Sequence, residues 1–183
     1  MTHFTLEKNI GYVDATKEWL NNKDISGIVL DSYYYITNNR IYIVDGSKKV
    51  QLNYSLKELE VANWLVNTFG GNLYMKPKIN YPFGIKTADY FWKGEYWDLK
   101  EIRSPGKKVL DNRLNNYKQQ SKNFVFDISD NPLSIKEIQK QIHDVYASKD
   151  RIWVNKIILK KDKKVISIYE RKKEVPPHPA TKP

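Results

Sequence analysis

The sequence predicts an α/β fold: a mixed central sheet flanked by helices and preceded by an N-terminal β-meander. Three observations carry this. From Ser55 onward, amphipathic helical stretches alternate with short β-branched and aromatic runs. Residues 123–128 are almost continuously apolar, as in a strand covered on both faces. Asn38-Asn39, Asp45-Gly46 and Lys93-Gly94 stand between β runs at hairpin spacing.

Taken in order, residues 1–25 hold a short helix at 14–21. Residues 28–30, 33–37, 41–44 and 49–52 are β-branched and aromatic, and read as a small meander ahead of the main domain. Ser55-Leu56-Lys57-Glu58 has the spacing of a capping box, and Leu59, Ala62, Val66 and Phe69 form the apolar stripe of the helix it opens. Gly70-Gly71 ends that helix. A strand is expected at 73–75, a loop at 78–84, where Pro82 and Gly84 supply turn chemistry, and strands at 87–92 and 96–100 around Lys93-Gly94. A polar helix over 109–122 leads into the apolar strand. Ser134-Ile135-Lys136-Glu137 is a second capping box, opening a helix over 134–146, and a hairpin around Lys161-Asp162 closes the fold with strands at 153–159 and 165–169. The last nine residues contain four Pro and are expected to be disordered. The predicted division is a β-rich appendage over 1–54, a main domain over 55–172 and a tail over 173–183.

A chain of 183 residues can bury a single core without staples. The absence of Cys excludes disulfides, thiolate zinc sites and a Cys nucleophile. No apolar run reaches the roughly 18 residues of a membrane helix and the N-terminus shows no signal-peptide core, so a soluble protein without a membrane partner is expected. The formal charge is +10, and residues 151–183 alone carry ten basic against three acidic side chains. A basic end on a near-neutral body fits a polyanionic partner such as nucleic acid, or a solvated Lys-rich strand and tail. Scattered Gly give no phosphate-binding fingerprint, so no nucleotide cofactor is expected. His3, His143 and His178 make a poor set for metal-free His catalysis.

Chemistry concentrates between Ala88 and Lys100. If Lys93-Gly94 is a two-residue hairpin loop, strand partners sum to 187 and Asp89 falls opposite Asp98, with Cβ atoms roughly 4.5–5.5 Å apart. Lys100 then points to the same face as Asp98. Facing carboxylates are unfavourable unless compensated, and a hard divalent cation such as Mg²⁺ or Mn²⁺ compensates them well. A neighbouring Lys can hold an attacking water or stabilise charge on a phosphate oxygen. On spacing alone the same residues also fit an exposed hairpin whose Lys100 bridges two ordinary Asp side chains. Glu58 or Glu60, in the first turns of the preceding helix, can reach over the sheet toward that site, or can simply complement the helix dipole. Arg103, Lys107, Lys108, Arg113 and Lys118 are candidate phosphate contacts, and Gln119-Gln120-Ser121 supplies amides at a helix end nearby. Tyr33, Tyr34, Tyr35 and Tyr42 either stack bases or pack.

The linked order of helix Glu, strand Asp, Asp-x-Lys, then helix and strand resembles the PD-(D/E)XK nuclease superfamily over roughly residues 55–130, with Ala88 in place of the motif Pro. More narrowly, the segments 58–65, 69–71, 84–90, 97–100 and 118–127 are similar to the C-terminal nuclease domain of contact-dependent growth-inhibition toxins. Related domains occur behind phage and mobile-element proteins. The resemblance implies a metal-dependent endonuclease. Asp89, Asp98 and Glu58 or Glu60 would bind Mg²⁺ or Mn²⁺, and Lys100 would assist the attacking water. It favours RNA, often tRNA, over DNA, and implies an immunity protein as partner. It also implies cytoplasmic action after delivery as the C-terminal cargo of an exported or phage protein. A DNA-cleaving enzyme of the same superfamily, or a non-catalytic nucleic-acid-binding or assembly module, would share these residues.

Overall fold

The structure is a computed structural model that describes residues 11–115 and 120–173. Lys118, Gln119 and the Pro-rich stretch expected to be disordered lie outside them, except that the predicted tail begins one residue earlier, at Lys173. Along the chain run β1 (Tyr12–Asp14), α1 (Thr16–Asn21), β2 (Val29–Asp31), β3 (Tyr34–Thr37), β4 (Arg40–Ile43) and β5 (Val50–Gln51). These are followed by α2 (Leu56–Phe69), β6 (Leu73–Met75), β7 (Lys78–Ile79), β8 (Tyr90–Trp92), β9 (Glu95–Glu101), α3 (Val109–Leu114), β10 (Asn123–Asp127), α4 (Ile135–Ala147), β11 (Lys156–Lys161) and β12 (Lys164–Arg171).

Eight of these strands form one mixed sheet in the order β1-β12-β11-β10-β9-β8-β6-β2. β10 runs parallel to both β9 and β11, and β2 runs parallel to β6; the other pairs are antiparallel. Successive side chains of the central strands point to opposite faces, so the sheet has two cores. Phe124, Phe126, Ile157 and Leu159 pack under α3 and α4, with Leu110, Ile138, Ile142 and Tyr146. Trp97, Val125 and Ile158 pack under α2, with Val61, Leu65 and Phe69. Trp19 of α1 joins that second core and meets Phe69, Trp92 and Trp97 at ring-centroid distances of 5.6–6.0 Å. The α/β class, the mixed sheet and the flanking helices are as the sequence predicts. Among the described residues no helix is long and apolar enough to cross a membrane.

Both capping boxes form. Ser55 Oγ accepts from Glu58 N–H while Glu58 returns a carboxylate to Ser55 N–H, and Ser134 and Glu137 do the same. Gly70, at φ 73°, closes α2, and an added Cβ there would stand 2.4 Å from the Asp24 carbonyl. In the Lys93-Gly94 turn both residues take positive φ (51° and 76°), the geometry that suits a two-residue hairpin, and Trp92 pairs with Glu95 as expected.

Four expectations need correction. The strands before Ser55 do not form one meander. Only β3 and β4 make a hairpin, across Asn38-Asn39; β2 becomes an edge of the main sheet, and β5 pairs with β7. With β1 on the opposite edge, residues before Ser55 supply both edges of the main sheet. The segment 78–84 is not all loop, because Lys78–Ile79 is the strand that β5 pairs with. The polar helix is described only as far as Leu114; Asn115 is a turn residue held by Arg151, residues 116–119 lie outside the described residues, and residues 120–122 are not helical. The closing hairpin turns at Asp162-Lys163, with Asp162 at φ 53°, and Trp153 precedes β11 rather than lying in it.

Candidate active site

Asp89 sits just before β8. Its N–H donates to the Trp97 carbonyl at 3.1 Å, although Trp97 pairs with Tyr90. The regular ladder therefore ends at Tyr90–Trp97, the direct Asp89–Asp98 strand pair expected from the sequence is not formed, and Asp89 joins as an extra residue beside Asp98. The two carboxyl groups are in hydrogen-bonding contact. Both residues are buried, Asp98 to 1% exposure. The second Asp89 oxygen accepts from Leu99 N–H at 2.8 Å. Lys100, two residues past Asp98 and on the same face, forms an ion pair with it.

Glu58 reaches the pair through a residue that sequence reading assigned to a loop. Lys78 Nζ lies 2.6 Å from Asp89 Oδ1 and 3.2 Å from Glu58 Oε1, so one ammonium bridges two of the three carboxylates. Glu60 points elsewhere. It is 65% exposed and pairs with Lys57 at 3.5 Å, so of the two helix carboxylates only Glu58 joins the site. Two tyrosines fix the backbone around these groups. Tyr90 donates to the Glu58 carbonyl at 2.8 Å. Tyr35, buried and stacked on Tyr96, accepts from Ala88 N–H at 2.9 Å. Tyr35 is therefore a packing residue, while Tyr33 and Tyr34 stay exposed.

The electrostatics follow from two buried carboxylates and half-buried Glu58 facing two ammonium groups. Burial opposes the charge on Asp89, but Lys78 and the hydrogen bonds from Asp98, Lys78 and Leu99 outweigh it and hold its carboxyl below the ordinary range. Burial, then the Asp89 charge beside it, push Asp98 well above that range, and Lys100 offsets this only in part. Glu58 is raised as well, by burial and by Asp89 against Lys78. Burial opposes the charge on Lys78, yet Asp89 and Glu58 raise it, so it stays an ammonium. Asp98 is thus the carboxyl whose charge the site disfavours most. Asp89, Asp98 and Glu58 are the oxygen donors from which a divalent-cation site would be built. Among the described residues no three carboxylate or imidazole groups already surround a common point.

The surrounding candidates differ in what each of them meets. Gln120 is at the site: its Nε2 donates to the Thr87 carbonyl at 2.9 Å, two residues before Asp89, and its buried Oε1 has no partner among the described residues. Ser121 instead bonds the Tyr96 carbonyl at 2.7 Å. Lys107 and Lys108 line a groove of about 680 Å³ against α4, where Asp111, Glu137 and Asp144 balance their charge. Arg113 is exposed in the last turn of α3, and Arg103 pairs with Glu101 at 2.5 Å. In the basic C-terminal hairpin, Lys156 is paired with Glu95 and buried Lys160 with Asp127 at 2.9 Å; Lys163 and Lys164 remain exposed. His143 meets the Tyr12 hydroxyl at 3.3 Å, away from these groups. Lys78 had one sequence signal, the alternation Lys76-Pro77-Lys78 beside the strand that leads to Asp89.

No curated protein matches the sequence. Among solved structures, the chain is similar to one from a "CdiA-CT/CdiI toxin and immunity complex from Burkholderia pseudomallei", at 17% identity and a TM-score of 0.49, covering 76% of this chain and 97% of that one. Residues 86–165, which include Asp89, Asp98 and Lys100 but not Glu58 or Lys78, match the family model of the contact-dependent growth inhibition CdiA C-terminal domain.

Proposed function

We propose that this chain is a toxin-type nuclease domain with a PD-(D/E)XK site, hydrolysing phosphodiester bonds of RNA, with tRNA as the expected substrate class. The observation that carries the reading is the meeting of Asp89 and Asp98 across one hairpin, with Lys100 on the same face and Glu58 joined through Lys78. The family-model match over residues 86–165 supports the toxin assignment and, with it, an immunity protein as partner and delivery as C-terminal cargo.

The donor chemistry suits Mg²⁺ or Mn²⁺. Three carboxylates exceed two ammonium groups, and the surplus negative charge, disfavoured by burial at Asp98, is what a cation would compensate. Asp89 and Asp98 would hold the ion, with Glu58 as third donor. When bound, the ion supplies Lewis-acid polarisation of a phosphate oxygen. The chain's own groups do the rest. Lys100 Nζ orients the attacking water by hydrogen bonding and stabilises charge on the phosphate oxygens. Lys78 Nζ keeps Glu58 and Asp89 together and adds positive charge where the phosphate enters. The Gln120 amide, anchored on Thr87, offers to a water its Oε1, which has no partner among the described residues.

The test is cleavage of mixed total RNA and plasmid DNA with Mg²⁺, with Mn²⁺ and with EDTA, beside the Lys100→Ala protein. Metal-dependent loss of a discrete RNA band, absent in the variant, is expected. Loss of DNA instead moves the substrate to DNA. Full cleavage by Lys100→Ala, unaffected by EDTA, overturns the reading.

A further inference from the structure

The loop over residues 80–86 leaves the site and returns to it. It begins after β7, whose Lys78 bonds Asp89, and runs through Lys86 and Thr87 back into Asp89 itself. Its backbone is held in place. Asn80 and Tyr81 N–H both donate to the Lys49 carbonyl, at 2.7 and 3.1 Å, and Asn80 Nδ2 donates to the Lys48 carbonyl at 2.9 Å and to Gln51 Oε1 at 3.1 Å. Ile85 packs beneath, against the cluster of Tyr35, Val50 and Ile79.

On this anchored loop Tyr81 and Phe83 face solvent, 54% and 87% exposed, with ring centroids 5.7 Å apart in an edge-to-face pair. Neither ring serves the core. Residues 76–87 hold three Lys and no acid; Lys76 is buried and Lys78 is paired with Glu58 and Asp89, which leaves Lys86 exposed. The segment that braces the loop adds exposed Lys48 and Lys49, with Asp45 beside Lys49. Lys49 Nζ lies 5.7 Å from the Tyr81 ring centroid. Exposed aromatic faces with exposed Lys48, Lys49 and Lys86 around them match an unpaired base on a phosphate chain. A duplex keeps its base faces inside, so the strand such rings can take is single.

We propose that Tyr81 and Phe83 are a stacking platform for an unpaired base of single-stranded RNA, with Lys48, Lys49 and Lys86 on its phosphates, so that the adjoining phosphodiester is delivered to Asp89, Asp98 and Lys100. The delivery step rests on the nuclease reading; the platform itself is tested without cleavage. Full-length Lys100→Ala protein in EDTA is titrated into a short single-stranded RNA carrying 2-aminopurine. Binding is expected to quench the fluorescence as the base stacks. Phe83→Ala and Tyr81→Ala are each expected to bind about 5- to 150-fold more weakly with the quench lost, and Phe83→Trp to keep it. Phe83 is exposed enough that its replacement leaves the fold intact, which an unchanged thermal melt checks. Affinity unchanged in Phe83→Ala, tighter binding of duplex RNA or of the matching DNA strand, or no binding at all overturns the platform. Binding with quenching by a protein that cuts nothing removes the nuclease reading and keeps the platform. RNA cleavage with no quenching does the reverse.

Discussion

With 1% of its surface exposed and Asp89 against it, Asp98 is held in an environment that disfavours its charge. A carboxyl whose folded pKa is raised keeps a proton that the unfolded chain releases near pH 4. Its contribution to stability is therefore full below about pH 4 and is lost as pH rises through the folded value. Without metal, Asp98→Asn is expected to flatten that decline and to raise stability at pH 8 by about 1–3 kcal/mol, read from urea midpoints at pH 5 and pH 8 in EDTA. An equal decline in both proteins would show that Asp98 is not the proton-holding group. Asp127 works in the opposite sense. Burial opposes its charge, but Ser129, Lys160 and Lys57 hold its carboxyl down to about 2. Its stabilisation is present above about pH 4 and lost as pH falls toward 2, so Asp127→Asn should remove acid sensitivity that Asp98→Asn leaves in place.

At the scale of elements, the first turn of α2 serves two ends at once. Glu58 closes the capping box through Oε2, 2.6 Å from Ser55 N–H, and holds Lys78 through Oε1. Glu58→Gln keeps a side chain able to cap and loses only the charge, whereas Glu58→Ala loses both. The Gln variant is expected to stay within about 0.5 kcal/mol of the parent and the Ala variant to lose about 1 kcal/mol, while both lose most RNA cleavage. Chemical denaturation beside a cleavage assay separates the effects, and equal stability of the two variants would deny the cap its energetic role. The same contrast marks what the sequence could reveal. Lys93-Gly94 fixes the hairpin register locally, so the pairing from Trp92–Glu95 to Tyr90–Trp97 follows from counting, whereas the irregular step at Asp89 does not. Capping boxes are likewise written within four residues. Lys78 was hidden because a two-residue strand has no periodicity, and only its distant partner β5 makes it a strand. Glu58 and Glu60 could not be separated by helical position alone, since both lie within one turn, and the choice is made by which of them meets Lys78.

For the whole molecule, the two edges of the main sheet come from the first 31 residues and enclose strands from the remainder. Such long-range pairing leaves no mark in a local window, which is why the sequence suggested a separate meander. It also ties α1 to the centre of the protein. Trp19 packs on Phe69, Trp92 and Trp97 and donates to Glu170 at 2.6 Å. Trp19→Ala is expected to cost about 3 kcal/mol, measured by thermal or urea unfolding, and a loss under 1 kcal/mol would mean that α1 merely rests on the surface. The pairing of β1 with β12 has a mechanical consequence. The strands are antiparallel, and Lys172 N–H still donates to the Gly11 carbonyl at 2.9 Å where the pair ends. A tension applied between the two ends of the chain therefore loads that last bond first. It then opens the ladder one rung at a time, like a zipper, instead of shearing all rungs together. A protein strapped in this way keeps its core packed while its edge strand gives way to a small pull.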